Sequence, residues 1–388
     1  MRQTDKSQHT RPWVDWTARQ IDDPVWRLRY LQAMAPPPPQ ASRWKSRKTI
    51  GLLALMAFAW VVAPLSLRMF GAANSAPPTV STLTAAPELA APAPIHRGEP
   101  AVVPSADVWS VEKASDFEVY SNGLRIDNQY AVTHRPRAYV AYPIAAAEGN
   151  VGEQRTKPAG IVYHTTESLL APFESSQNTR LKRVGESLIE YVRRRRCYNF
   201  LIDRFGRVFR IVKESDAADH AGHSVWADGR YFYVNLNDSF IGISFEAQTG
   251  PGETRTSVGT AQVLAAGMLT EMLRSRYKIP GQNCVTHAQV SVNPSNMQIG
   301  YHVDWASSFP FEKLGLPDNY ATPSPAVSLF GFAFDTSFEQ RAGARLAAGA
   351  LEADRRLIER AKSAHLSLAA YRQALHKRYL KIMASQRG

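Results

Sequence analysis

From about residue 158 to residue 320, short apolar runs alternate with stretches of helical periodicity, and that alternation limits what the chain can become. Ala159-Gly160-Ile161-Val162-Tyr163 leads into His164 and reads as a buried strand. Leu181, Val184, Leu188, Ile189 and Val192 recur at helical spacing, so 179–194 is an amphipathic helix. It ends in the basic run Arg193–Arg196, a solvated helix end that suits the helix dipole. Tyr198–Asp203 and Arg207–Val212, joined by Arg204-Phe205-Gly206, read as a hairpin. Phe240–Ala247 is a further strand. Ala261, Leu264, Ala265, Met268, Leu269, Met272 and Leu273 form a second apolar helical stripe, with Thr260 as its cap. Val285-Thr286 then leads into His287. Interleaved strands and helices predict an α/β fold, a mixed central β-sheet flanked by helices.

The flanks differ in character. Thr49–Leu67 is a run of 19 residues without a charge, long enough to cross a bilayer as a helix, and Arg43, Lys45, Arg47 and Lys48 precede it. The positive-inside rule then makes 1–48 a cytoplasmic tail and 49–70 a transmembrane anchor, with everything after it outside the cytoplasm. The long charged N-terminus argues against a cleaved signal peptide ending near Ala73–Ala76. Residues 71–105, rich in Ala and Pro, form a linker that can reach on the order of 100 Å. Residues 106–157 carry strand-like pieces, with a turn at Asn122-Gly123, and are expected as an entry subdomain on the 158–320 domain. Residues 321–388 are a basic helical extension with Leu368, Tyr371, Leu375, Tyr379 and Ile382 on one face, which reads as a helical hairpin docked on the core or a contact with anionic polymer or membrane. The net charge of +12 implies acidic partners. The anchor puts half of that charge outside the cytoplasm, together with the 158–320 domain, so no nucleic-acid partner is expected. Cys197 and Cys284 could form one disulfide but are too few for a framework.

Chemistry gathers at histidines. His164 and His287 end apolar strands, and His302 and Asp304 follow on a loop. Two neutral imidazoles and a carboxylate are the donor set of a catalytic zinc, with the fourth position left to water. Spacing alone is weak evidence in a chain with ten histidines. His220 and His223 also have a zinc-like look, but the His220-Ala221-Gly222 turn reads as shaping a groove, with His220 as a substrate contact.

Four stretches then occur in a recognisable order: Ile161-Val162-Tyr163-His164-Thr165-Thr166, Tyr198 to Gly206, His220-Ala221-Gly222, and Ser239-Phe240-Ile241-Gly242-Ile243. With His287 and the stretch Asp304 to Phe311, the chain resembles the type-2 N-acetylmuramoyl-L-alanine amidases, a superfamily that includes the peptidoglycan recognition proteins, over roughly residues 158–316. The resemblance implies Zn2+ held by His164, His287 and Asp304, the last phased by Phe309-Pro310-Phe311. His302 stands where the family has Lys and is also a rival third ligand. Where some members of the family have a catalytic Glu this chain has Ser244, with Glu246 two residues on, and other members use a tyrosine that matches Tyr198, so Glu246 or Tyr198 would act on the attacking water. His302 would stabilise the oxyanion, and His220 and Thr165 would bind substrate. The implied function is a membrane-anchored, zinc-dependent amidase that cuts between muramic acid and L-alanine in peptidoglycan or muropeptides. The alternative is a non-catalytic peptidoglycan-binding module on the same fold.

Overall fold

A computed structural model describes residues 107–144, 152–249 and 258–386. The expected cytoplasmic tail, transmembrane anchor and linker lie outside the described residues. Among those described, no helix is long and apolar enough to cross a membrane.

Burial on both faces explains the centre of the fold. Strands β6 (Gly160–Thr165) and β11 (Phe240–Phe245) are buried at every residue, and they run parallel in register from Gly160↔Phe240 to Thr165↔Phe245. Parallel strands covered on both sides carry near-continuous apolar runs, as these do. β12 (Cys284–Thr286) pairs parallel with the other edge of β6, and β7 (Phe200–Ile202) with the other edge of β11. β8 (Val208–Arg210) returns antiparallel along β7. β1 (Ser110–Lys113), β2 (Phe117–Tyr120) and β3 (Arg125–Asp127) complete an eight-stranded sheet in the order β1-β2-β3-β8-β7-β11-β6-β12. A second antiparallel sheet holds β5 (Glu153–Arg155), β4 (Tyr139–Pro143), β10 (Tyr231–Val234) and β9 (Val225–Ala227) in that order. The sheet is mixed and helices flank it, as the alternation predicts.

Residues 106–157 are less separate than expected. β1–β3 extend the main sheet, joined through the parallel pair β3/β8, while β4 and β5 belong to the second sheet. The charges explain the join. Arg210 on β8 donates to Glu118 on β2 (3.0 Å) and to Glu214 (2.8 Å), and all three are buried.

Side-chain parity sorts the two faces. Tyr163, Ile243, Phe200 and Phe245 point to helix α2 (Thr260–Tyr277), whose Ala265, Ala266, Leu269, Met272 and Leu273 are buried against them. His164, Ser244 and Leu201 are register partners and share the opposite face. There α1 (Asn178–Arg195) covers Leu201 with Leu188, Ile189 and Val192, and the second sheet covers Val162 and Val285 with Trp226 and Tyr233. The α2 stripe is rotated from its expected position: Leu264 is exposed, while Gln262 is buried and donates to the Ile202 carbonyl. Thr260 is not the cap. Gly259 holds that place, and its N–H donates to Gln262 Oε1 at 3.1 Å.

The C-terminal extension is docked on the core. α3 (Pro325–Phe330), α4 (Phe338–Ser363, kinked at Gly343) and α5 (Leu368–Ser385) pack together. Tyr379 and Ile382 are buried, and the Tyr379 ring meets Phe330 and Phe332 edge-on. No disulfide joins the two cysteines: Cys197 follows α1 and Cys284 is buried in β12 at the sheet edge.

Candidate metal centre

The carboxyl ends of the parallel strands deliver the histidines. His164 is the penultimate residue of β6, and His287 opens a helical turn directly after β12, its neighbour in the sheet. That turn is fixed by Gln289, whose Oε1 accepts from the Thr286 N–H (2.8 Å) and whose Nε2 donates to the Asn319 carbonyl (2.8 Å). Asp304 arrives from a distant loop, pinned because the Trp305 ring packs edge-on against Phe245 and Phe309. Phe309 in turn lies 4.4 Å, ring to ring, from Tyr163. The Phe309-Pro310-Phe311 segment therefore anchors the loop.

Asp304 stands between the two imidazoles. Its Oδ1 is 2.9 Å from His287 Nδ1 and its Oδ2 is 3.3 Å from His164 Nδ1. All three residues are buried, and one potential ligand atom from each lies within 4.8 Å of the others. Donors bound at ~2.0–2.1 Å to one tetrahedral zinc stand roughly 3.3 Å apart, so this set fits such an ion. Two imidazoles and a carboxylate also suit a cation of intermediate softness. His287 Nε2 is buried without a hydrogen-bond partner.

The electrostatics agree with ligand chemistry. Burial pushes the His164 imidazole down to about 4, the neighbouring His287 adds to this, and Asp304 only partly offsets it. Burial would raise the Asp304 carboxyl, but His287 and His164 outweigh it and hold the group well below the usual carboxylate range. The set is thus an anion beside neutral imidazole.

The other expected residues divide. The His302 ring stacks on His287 at 4.4 Å with planes 22° apart, beside the triple and not within it. The Tyr198 ring centroid is 5.1 Å from that of His164. Tyr198 takes a left-handed backbone, φ 64°, a strain of about 1–3 kcal/mol that persists only where the surroundings enforce it. They do so through Asn199, which exchanges backbone and side-chain bonds with Gly242 (2.9 and 3.1 Å) and holds three carbonyls beyond β8 with its amide. Glu246 shares the His164 face, but its Oε2 accepts from the Arg204 N–H at the hairpin tip (3.2 Å), and burial raises its carboxyl. The structure gives it to the hairpin and not to the triple.

Two residues expected to bind substrate have their partners inside the protein. His220 is buried and turned inward: its Nδ1 is 3.1 Å from His164 Nε2, and its Nε2 is 3.2 Å from the Phe240 carbonyl. Both ring nitrogens are occupied inside the protein. The Thr165 hydroxyl is likewise spent on Glu167 (2.6 Å) and faces Thr249 (3.2 Å). A histidine in a His-Ala-Gly turn looks exposed in sequence, and only the packing reveals its neighbours.

Asn237, Gly242 and Thr249 were not singled out from the sequence. Asn237 Oδ1 accepts from the N–H groups of His220, Ala221 and Gly222. Thr249 Oγ1 accepts from the Trp305 N–H (3.1 Å) beside Asp304. Of the three, only Gly242 left a signal, because a glycine inside an apolar strand marks a close approach. Ser244, where the family has Glu, pairs in register with His164, and its buried hydroxyl has no partner.

Residues 154–299 match the family model for N-acetylmuramoyl-L-alanine amidase, a match that ends just short of Asp304. No curated protein matches the chain. Among solved structures, it is similar to the N-acetylmuramoyl-L-alanine amidase LysC from Clostridium intestinale (20% identity, TM-score 0.27, covering 49% of this chain and 93% of that one). It is also similar to the N-acetylmuramyl-L-alanine amidase AmiD from E. coli in complex with an anhydro-muramyl peptide (20%, 0.35, 62% and 89%) and to the Drosophila peptidoglycan recognition protein SD (17%, 0.25, 42% and 84%). The domain that carries His164 and His287 belongs to the type-2 N-acetylmuramoyl-L-alanine amidase superfamily.

Proposed function

We propose that this protein is a zinc-dependent N-acetylmuramoyl-L-alanine amidase that hydrolyses the amide between muramic acid and L-alanine in peptidoglycan or its fragments. The observation that carries this reading is the convergence of His164 Nδ1, His287 Nδ1 and the Asp304 carboxylate, inside a domain that matches an amidase family. A zinc held by these three residues supplies Lewis acidity toward the lactyl carbonyl and an acidified water.

The chain's own residues do the rest. Tyr198, beside His164, orients the attacking water with its hydroxyl, the role that the site favours over Glu246. His302, stacked on His287, donates an N–H to the oxyanion that develops on the carbonyl. An imidazole at this position offers an N–H donor in place of the permanent charge of the family's Lys. The second reading, a module that binds peptidoglycan without cleaving it, is favoured by Ser244 at the position of the family's Glu.

Mass spectrometry of muropeptides incubated with the full-length protein, with and without chelator, separates the two readings. The expected products are free stem peptides, lost on chelation and lost with His164→Ala. Cuts within the glycan or between amino acids would overturn the amidase reading, and unchanged muropeptides from zinc-loaded protein would favour the binding module. Full activity without metal would overturn the zinc reading. We further propose that the protein is anchored by Thr49–Leu67 with this domain outside the cytoplasm, where a wall substrate lies.

A further inference from the structure

We propose that His220 is a positioning residue: it fixes the tautomer of His164 so that His164 turns a bare Nδ1 toward the cation. The proposal rests on the zinc reading above and assigns a role to a histidine outside the ligand triple.

The Phe240 carbonyl can only accept, so the contact at 3.2 Å requires a hydrogen on His220 Nε2. In a neutral ring with Nε2–H, Nδ1 is a bare lone pair. That atom lies 3.1 Å from His164 Nε2, and a contact this short between two ring nitrogens holds one proton. His164 must supply it, from Nε2. His164 Nδ1 is then bare as well, and it faces the Asp304 carboxylate at 3.3 Å. Two lone pairs aimed at each other repel, unless a cation sits between them. Without His220, His164 is free to carry its hydrogen on Nδ1 and donate it to Asp304. That closes the site with a hydrogen bond which an entering metal must break.

The surroundings hold His220 to this task. A Cβ on Gly242 would lie 2.5 Å from His220 Cγ, so only glycine lets the ring rest directly on β11. Asn237 Oδ1 collects the N–H groups of His220, Ala221 and Gly222 at 2.9, 2.6 and 3.2 Å and fixes the turn. The Phe240 carbonyl is itself held by the buried Arg137, whose Nη1 donates to it at 2.9 Å. Partners that orient a metal-bound histidine in this way are commonly worth 10- to 100-fold in metal affinity.

The test uses the full-length protein and two readouts other than turnover. Zinc affinity is measured by chelator competition for wild type, His220→Phe and His220→Gln. Phe keeps the ring and removes both nitrogens, and Gln restores one acceptor and one donor. The expected result is a zinc Kd raised about 10- to 100-fold in His220→Phe and largely recovered in His220→Gln. Zinc bound by His220→Phe as tightly as by wild type would overturn the proposal. The second readout is the nitrogen-15 spectrum of the His164 ring in wild type, which needs no variant to fold. Hydrogen on Nε2 is expected both with and without metal, and hydrogen on Nδ1 in the metal-free protein would overturn the relay. Wild type that binds no zinc would instead sink the zinc reading, while the metal-free spectrum would still decide whether His220 sets the tautomer.

Discussion

His302 and Asp304 are two residues apart in sequence, and their contacts separate their work. Asp304 bridges His164 and His287, so Asp304→Ala is expected to release the metal, read as zinc content after dialysis. His302 stacks on His287 outside the triple, so His302→Ala is expected to keep zinc and lose about 10²–10³-fold in kcat, the scale of one oxyanion donor. If His302→Ala lost the metal and Asp304→Ala kept it, the roles would be reversed. A pH dependence follows from the same residues. His164 is held near 4 when folded and returns to its ordinary value when unfolded, so the unfolded chain takes up the proton first on acidification. Its contribution is complete above its ordinary value of 6.5 and is lost as pH falls from there toward 4, at roughly 1.4 kcal/mol per pH unit across the window. His220, also held well below its ordinary value by burial, acts in the same direction. Asp304 does not offset this, because its depressed carboxyl stabilises at every pH above its ordinary 3.8. Thermal unfolding of metal-free protein is expected to show a Tm that drops between pH 6.5 and 4, and a flat Tm would contradict it. At this scale, His164, His287 and Asp304 were legible because ligand chemistry demands particular residue types and the family motifs set their phase. The inward turn of His220 was not legible, because a turn motif does not say which neighbours the fold supplies.

Among the elements, β1–β3 show how a segment joins a sheet through charge as well as backbone pairing. Arg210 on β8 sits between Glu118 and Glu214, with all three side chains buried. Arg210→Ala leaves two carboxylates buried without their partner and is expected to cost about 3–5 kcal/mol, measured by urea unfolding. Arg210→Met is also expected to destabilise, because it leaves the same two charges behind. A loss within 0.5 kcal/mol for either variant would mean that the cluster does not hold the segment. The strands and helices of the core were legible from their periods, since apolar runs and helical stripes report burial directly. The allegiance of β1–β3 was not, because pairing of β3 with β8 joins residues some eighty positions apart, Ile126 with Val208. The rotation of α2 was missed for a related reason. Leu264 fits the stripe by spacing, yet the covered face is decided by where the sheet lies.

For the molecule as a whole, the expectation is a tethered enzyme. Full-length protein is expected to partition with membranes, and a reporter fused after Gly388 is expected to work only outside the cytoplasm. A reporter active only in the cytoplasm would refute that topology, and a mature N-terminus near Pro77 would show cleavage of the span instead. The sequence by itself determined the class of fold, the order of strands and helices, and the residue types fit to hold a metal, because burial periodicity and ligand chemistry are local properties of the chain. Tertiary structure alone decided which sheet each early strand enters, that the C-terminal helices dock on the core with Phe330 edge-on against Phe232 of β10, and that Asn237, Gly242 and His220 stand behind His164. These are contacts between residues distant in sequence, and no local pattern encodes them. They exist only once parallel strands with their covering layers have closed around one site.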